Sequence, residues 1–206
     1  MEQKTAIVIG ASTGIGAATA EALAQQYKKI AITSFRHPEK LKEVQQKILA
    51  QGTDCYAETG DAGDYTFVKQ FIEHVTGHFG EKIDLLVNNA GISYVGLLTD
   101  MDEMDWKRII DTNITSVFNT CRQVVPCMVR AHKGRIINVS SVWGKVGASC
   151  EVAYSATKGA VNAFTKALAK ELAPSGIAVN AIAFGAIDTT MNGHLSLEEK
   201  IALEEE

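Results

Sequence analysis

The sequence has no apolar run long enough to cross a bilayer. Its longest runs, such as AIVIGA at 6–11, are strand-sized and fall well short of the ~20 residues a membrane helix needs. The N-terminus passes from MEQKT directly into a strand pattern, without the charged and apolar tracts of a signal peptide. Positive charge is not in excess either. The net charge is −4 and the isoelectric point about 5.8, so nothing draws nucleic acid or an anionic membrane electrostatically. Paired cysteines are missing: Cys55, Cys121, Cys127 and Cys150 show neither CxxC nor disulfide-like spacing. Free thiols in a reducing compartment follow, and the expected location is the cytoplasm. One HxxxH pair, His74 and His78, has no third ligand nearby and reads as a solvated helix face, so no metal is expected.

Linkers, repeats and low-complexity segments are absent as well, and residues 1–206 read as a single domain large enough for a substantial core. Apolar residues make up 46% and charged residues 21%, a globular composition. Short apolar strands alternate with helix-length amphipathic segments throughout. TAIVIG (5–10), KIAIT (29–33), CYAET (55–59), IDLLVN (83–88), GRIINVS (134–140) and IAVNAIA (177–183) are the strand candidates. Several are β-branched runs suited to burial on both faces. Helical patterns cover 15–27, 38–52, 64–80, a long stretch 104–129, and 152–172; Pro38 suits a first turn and Gly52 an end. The alternation predicts an α/β fold of right-handed βαβ units, a doubly wound parallel sheet with helices on both faces. Ligands bind such sheets beyond the carboxyl ends of the strands, near the topological switch point.

Motifs stand at those strand ends. After the first strand comes GASTGIG (10–16), where Gly10, Gly14 and Gly16, with Ser12, Thr13 and Ile15 between them, would let the backbone approach a pyrophosphate at a helix N-terminus. The spacing is GxxxGxG instead of the commoner GxGxxG, and a plain strand–helix turn is the competing reading. The second strand runs into SFRH with no acid between Thr33 and His37. Ser34 and Arg36 there suit a 2′-phosphate, which favours NADP(H) over NAD(H); a solvent-exposed Arg36 is the plainer alternative. Asp61, followed by Ala62 after the third strand, could accept from an adenine amino group or cap the next helix, for which Asp64 is the better candidate. At the end of the fourth strand Asn88 and Asn89 could tie strands together, with Ala90 and Gly91 leaving room for a cofactor; an Asn-rich turn remains open.

The fifth strand ends at Ser140 and Ser141; Tyr154 follows thirteen residues after Ser141, and Lys158 four residues later, on the same helical face. Lys158 beside the phenol is expected to pull Tyr154 below its usual ~10 and make it a general acid or base for a carbonyl or alkoxide oxygen. The Ser141 hydroxyl could fix that oxygen in place.

Taken together, GASTGIG, NNAG, Asn113 in DTNITSVF, Ser141, YSATK and VNAIAFGAIDTTM resemble the short-chain dehydrogenase/reductase family, in family order over essentially the whole chain. The resemblance implies a Rossmann-type fold, a nicotinamide cofactor, and a tetrad of Asn113, Ser141, Tyr154 and Lys158. In it Asn113 helps hold a water that connects Lys158 to solvent, and Lys158 reaches the cofactor ribose. Ile187 and Thr189 match positions that meet the nicotinamide carboxamide. Within the family the chain looks most like the bacterial 3-oxoacyl-acyl-carrier-protein reductases. The stretch SSVWGKVGASCEVAYSATK, through Trp143, Cys150 and Glu151, is also similar to reductases of the aminopentanone-modified lysine of translation elongation factor P. Glu151 could then pair with a substrate amine; ordinary loop and contact residues are the other reading. Family members usually read PG where Phe184-Gly185 stands, which predicts a looser turn. They also continue past LSLEEKIALEEE through another helix and a last strand; a truncated or partly recorded chain is the simpler reading of this end, and if the end is real a sheet edge is expected to lie exposed.

The expected function is an NADPH-dependent ketoreductase, with a small-molecule or carrier-bound ketone as substrate, acyl carrier protein or elongation factor P as the possible carrier, and a homo-oligomer, dimer or tetramer, as the assembly. A non-catalytic NADP(H)-binding protein is the alternative of another class; the intact Ser–Tyr–Lys spacing argues against it. GLLTDM (96–101) and NGHLSLEEK (192–200) are expected to shape the substrate pocket; an acidic carrier would require a basic docking patch beside the site, for which Lys133, Arg135 and Lys145 are candidates that sequence alone does not cluster.

Overall fold

A computed structural model of the chain describes residues 3–187 and 189. Six strands form one parallel sheet: β1 (Thr5–Ile9), β2 (Lys29–Ser34), β3 (Asp54–Thr59), β4 (Leu85–Asn88), β5 (Gly134–Ser141) and β6 (Ile177–Phe184). Their order is β3-β2-β1-β4-β5-β6, so the chain reverses direction across the sheet between β1 and β4. Side chains alternate between faces along a strand. In β1, Ala6 and Val8 enter one apolar cluster while Ile7 and Ile9 enter the other. Both faces must therefore be covered, and both are. Helices α1 (Gly14–Leu23) and α2 (Pro38–Ala50) cover the first face with Ala20, Leu41, Val44 and Ile48. Helices α3 (Tyr65–Phe79), α5 (Ser116–Ala131) and α7 (Val152–Leu172) cover the second with Phe71, Val75, Val124, Met128 and Val161. Phe71 is fully enclosed, and truncating such a side chain to alanine costs roughly 3–5 kcal/mol. The doubly wound α/β architecture expected from the alternation is the one observed.

Two elements differ from the expectation. The predicted helix 104–129 is broken into α4 (Glu103–Ile110) and α5 by one wide turn of π-helix at Asp111–Thr115. Such a turn inserts an extra residue, commonly where a side chain has business off the helix axis. Here the residue is Asn113, whose amide both donates to Ile92 O and accepts from Ile92 N, each at 2.8 Å. Hydrophobic periodicity carries no trace of that bond. The second difference is a short helix α6 (Trp143–Val146) directly after β5. Gly144 within it lies so near α7 that a Cβ would come within 2.6 Å of the Lys158 carbonyl carbon.

Asp64 does cap α3, its carboxylate accepting from Thr66 N at 2.7 Å. Asp61 is left to its own turn, accepting from Gly63 N at 2.8 Å. His74 and His78 face Glu58 and Asp54 at 3.0 and 3.5 Å on the surface, and no cluster of three or more metal-binding side chains exists among the described residues. No helix among them is long and apolar enough to cross a membrane. The NGHLSLEEK loop, and the expectation of a further helix and strand, lie outside the described residues.

Candidate active site

Because every strand runs the same way, all six carboxyl ends meet along one edge of the sheet, and a cavity of about 710 Å³ opens there. It is lined by strand-end residues in turn: Ile9 and Gly10, Thr33 and Ser34, Gly60 to Gly63, Asn89 to Ser93, Val139 to Ser141, and Phe184 to Ile187. The volume lies within the range of small-molecule and cofactor sites.

The glycine turn forms one wall. Gly10 has φ +80°, and a Cβ there would stand 2.7 Å from the Ala90 backbone. Its N–H and that of Ala11 both donate to Thr33 O, at 2.8 and 2.9 Å, which clamps the turn onto β2. Ser12, Thr13, Gly14 and Ile15 line the cavity beside it. Gly16 does not; it allows α1 to press on the sheet, where a Cβ would collide with Gly10 O at 2.0 Å. Past β2, Ser34 donates to Ser12 between hydroxyls at 2.7 Å, and Arg36 follows on the cavity wall, with no acid between Thr33 and His37. Asp61 and Ala62 line the same end.

Asn88 and Asn89 act differently. Asn89 Nδ2 donates to Gly10 O at 2.7 Å and lines the cavity with Ala90 and Gly91. Asn88 is buried away from it: its Nδ2 donates to Asn138 Oδ1 at 2.8 Å, and its Oδ1 accepts from Thr120 at 2.7 Å. Its side chain is a tie between β4, β5 and α5, and the cofactor contact expected of it is not available to that amide.

At the other end of the cavity β5 brings Ser141, and α7 brings Tyr154 and Lys158 one turn apart. Lys158 is 3% exposed; its Nζ donates to Val139 O at 2.8 Å and stands 5.5 Å from the centre of the Tyr154 ring. Burial pulls its ammonium down from the usual 10.5 to about 8. Tyr154 moves the other way from the sequence expectation. Burial pushes its phenol above 10, hydrogen bonding from Ser141 opposes this, and the Glu151 carboxylate adds to it. Desolvation of a half-enclosed phenol outweighs a lysine that is itself weakened as a cation and spends its hydrogen bond on Val139. Asn113 is 1% exposed, and its second donor bond goes to Thr157 Oγ1 at 3.0 Å, which in turn donates to Tyr154 O at 2.8 Å. Its side chain is thus occupied in tying the π turn to the strand end and to α7.

Ile187 and Thr189 reach the cavity from beyond β6, Thr189 Cγ2 standing 3.3 Å from where a Cβ of Gly14 would lie. Phe184 is the last residue of β6. It pairs with Ser141, and its carbonyl accepts from Val142 N at 2.8 Å. The three docking lysine and arginine candidates do not cluster. Arg135 and Lys133 sit at the amino end of β5, about 20 Å along the strand from Ser141 at ~3.3 Å per residue, while Lys145 lies on α6 beside the cavity.

Sequence reasoning missed Thr33, Ser93, Arg108 and Thr112 as lining residues, and Thr157 behind them. Thr33 could have been found as the polar residue closing an apolar strand; Arg108 and Thr112 carry no local signal. Thr33 Oγ1 is buried without a hydrogen-bond partner although it stands at the cavity wall. An orphaned hydroxyl there, beside a backbone turn that admits no Cβ, is what a dinucleotide would satisfy, so the residues present fit such a group.

A parallel sheet with a glycine turn at its switch point, and a Ser–Tyr–Lys group across the crevice, defines a nucleotide-dependent oxidoreductase. The chain belongs to the short chain dehydrogenase family, whose sequence model matches residues 4–200. It is similar to a 3-oxoacyl-[acyl-carrier-protein] reductase FabG of Staphylococcus aureus (strain N315), 43% identical over 197 residues that cover 96% of this chain and 80% of the relative. A 3-oxoacyl-[acyl-carrier-protein] reductase of Synechocystis sp. is 40% identical over 195 residues, 95% of this chain and 78% of that protein. The uncharacterized oxidoreductase YmfI of Bacillus subtilis (strain 168) is 38% identical over 203 residues, 98% and 83% of the two chains. As a member of the family the protein is an oxidoreductase acting on carbonyl or hydroxyl groups with a nicotinamide cofactor.

Proposed function

We propose that the protein is an NADPH-dependent ketoreductase that reduces 3-oxoacyl thioesters carried by acyl carrier protein. The observation that carries this reading is the meeting of Ser141, Tyr154 and Lys158 at one end of a cavity whose other end offers Ser34 and Arg36. The names of the Staphylococcus and Synechocystis relatives support the substrate. Gly10, Ser12, Thr13, Gly14 and Ile15 would hold the pyrophosphate, and Ser34 and Arg36 the 2′-phosphate. Ala90, Gly91, Ile187 and Thr189 would border the nicotinamide, which supplies the hydride when bound. Tyr154 gives its proton to the substrate carbonyl oxygen as negative charge develops there. Its raised pKa keeps it in the acid form that this role needs. Ser141 donates a hydrogen bond to the same oxygen. Lys158, brought near 8, exchanges protons close to working pH and lies within the same wall. Asn113 positions the π turn and, through Thr157, the start of α7.

The test is nucleotide oxidation with acetoacetyl-acyl carrier protein, using NADPH and NADH in parallel. Turnover with a clear NADPH preference supports the reading; no turnover of any 3-oxoacyl thioester with either nucleotide removes it. A second reading, reduction of the aminopentanone group on the modified lysine of elongation factor P, is favoured by the Glu151 carboxylate in the cavity one turn before Tyr154. Turnover of that protein ketone without turnover of the thioester would decide for it. We place the protein in the cytoplasm, supported by four free cysteines. We also place it in a homo-oligomer, supported by exposed Trp106 and Phe118 on α4 and α5 and testable by light scattering.

A further inference from the structure

Glu151 occupies the N-cap position of α7, where an acidic side chain ordinarily folds back onto the first N–H groups of the helix. It makes no such cap. Its carboxylate accepts instead from the Ser93 hydroxyl and lines the cavity three residues before Tyr154, on the same side of the helix. A second bond, Gly96 N to Cys150 O at 2.8 Å, ties the Ser93 loop to the same segment, so the carboxylate is held in place from both strands of the wall. The other ionisable side chains among the described lining residues are Arg36, His37, Asp61, Arg108, Tyr154 and Lys158. Arg36, His37 and Asp61 follow β2 and β3, at the nucleotide end. Arg108 is engaged by Asp105 at 2.6 Å. Lys158 is enclosed and directed at Val139 O. Among the described residues, Glu151 is the acid at the substrate end of the cavity, near enough for its charge to act on Tyr154, while the two cations there are each engaged, Arg108 by Asp105 and Lys158 by Val139 O.

We infer that Glu151 is a specificity-determining residue, a charge filter that admits neutral and cationic ketones and turns away those with an anionic group beside the carbonyl. The inference rests on the ketoreductase reading for which end of the cavity takes the substrate. Its chemical consequence is a choice between two forms of one molecule. A 3-oxoacyl group held as a thioester or amide is neutral next to its ketone, whereas the free 3-oxo acid carries a carboxylate there. Like charges brought together in a partly desolvated cleft repel strongly, while the neutral ester pays nothing of the kind. For a 3-oxo acid the filter thus favours the esterified or amidated form over the free acid.

Three small ketones separate the charges: acetoacetate and acetoacetamide, which match in size, and the smaller aminoacetone. Their affinities are read by tryptophan fluorescence on the protein saturated with NADP+, where no turnover intervenes, and their NADPH-dependent reduction is measured separately. Acetoacetate is expected to bind most weakly. Glu151→Gln should narrow the amide-to-acid affinity ratio by on the order of tenfold, a single pairwise charge effect. Glu151→Asp, which keeps the charge, should preserve most of the ratio. An unchanged ratio in Glu151→Gln, equal behaviour of the Gln and Asp variants, or no binding of any of the three overturns the filter. A charge-ranked series of affinities with no NADPH oxidation by any ketone would leave the filter standing and overturn the ketoreductase reading instead.

Discussion

Lys158 should make the protein less stable than it would be without the charge. Its ammonium is lowered from 10.5 to about 8 by burial alone. That difference of roughly 2.5 pH units, at ~1.36 kcal/mol each, puts the cost of the enclosed cation at about 3 kcal/mol. Replacing it by methionine keeps the aliphatic stem and removes the charge, but leaves Val139 O without its donor at 2.8 Å, a loss of about 1–2 kcal/mol. Lys158→Met is therefore expected to be more stable than the parent by about 1–2 kcal/mol at neutral pH, while turnover is lost. For a chain of this size that is a rise in Tm of roughly 2–8 °C. The pH dependence follows from linkage. Between about 8 and 10.5 the unfolded chain holds the lysine proton and the folded one does not, so the parent gains stability as pH rises through that window; below about 8 the cost is present in full. The advantage of the variant should shrink above pH 8, vanish between about pH 9 and 10, and be fully reversed by 10.5, where only the unpaired carbonyl remains. Thermal unfolding of both proteins across that range, with the difference taken between them, is the assay. A variant less stable than the parent by more than about 1 kcal/mol at neutral pH, or a difference that does not change with pH, would refute the reasoning.

Arg36→Ala should raise the Kd for NADPH by on the order of tenfold while changing that for NADH little, as expected of a charge-assisted contact to a 2′-phosphate; equal losses for both nucleotides would remove Arg36 from that role. Asn113→Ala should leave Ile92 N–H and C=O without these side-chain partners and remove the donor to Thr157 Oγ1, lowering stability by roughly 2–4 kcal/mol by chemical denaturation; an unperturbed midpoint would contradict the clamp. In ultraviolet titration of the free protein, the phenolate of Tyr154, isolated by difference from Tyr154→Phe, should not form until pH exceeds about 10; its appearance at lower pH would mean that Lys158 outweighs burial.

The layered fold was legible because both periods it needs are written in the chain. Ile7 and Ile9 go to one face and Ala6 and Val8 to the other, and a run apolar on both sides can only be an enclosed parallel strand. The helix 152–172 came out residue for residue, since its apolar residues recur at helical spacing along its whole length. The π turn at Asn113 did not, because its cause is a long-range bond to Ile92 and not a local preference. The same limit separates Asn88 from Asn89: adjacent residues of identical type point to opposite sides of a strand, one into the tie with Asn138 and one into the cavity. Whether Lys133 and Arg135 stand beside Ser141 was not legible in the sequence, and the extended run of β5 between them carries them to the opposite end of the strand. The direction of the Tyr154 pKa needed the burial of both partners, a quantity absent from any spacing.

The most direct test of the account is the rate of NADPH oxidation with an acetoacetyl thioester by the parent protein and by Tyr154→Phe, whose folding is checked by its thermal transition. The account predicts loss of at least about a hundredfold in kcat, the usual contribution of a positioned proton donor, in a variant that still folds. A Tyr154→Phe protein that reduces the thioester at close to the parent rate would contradict it.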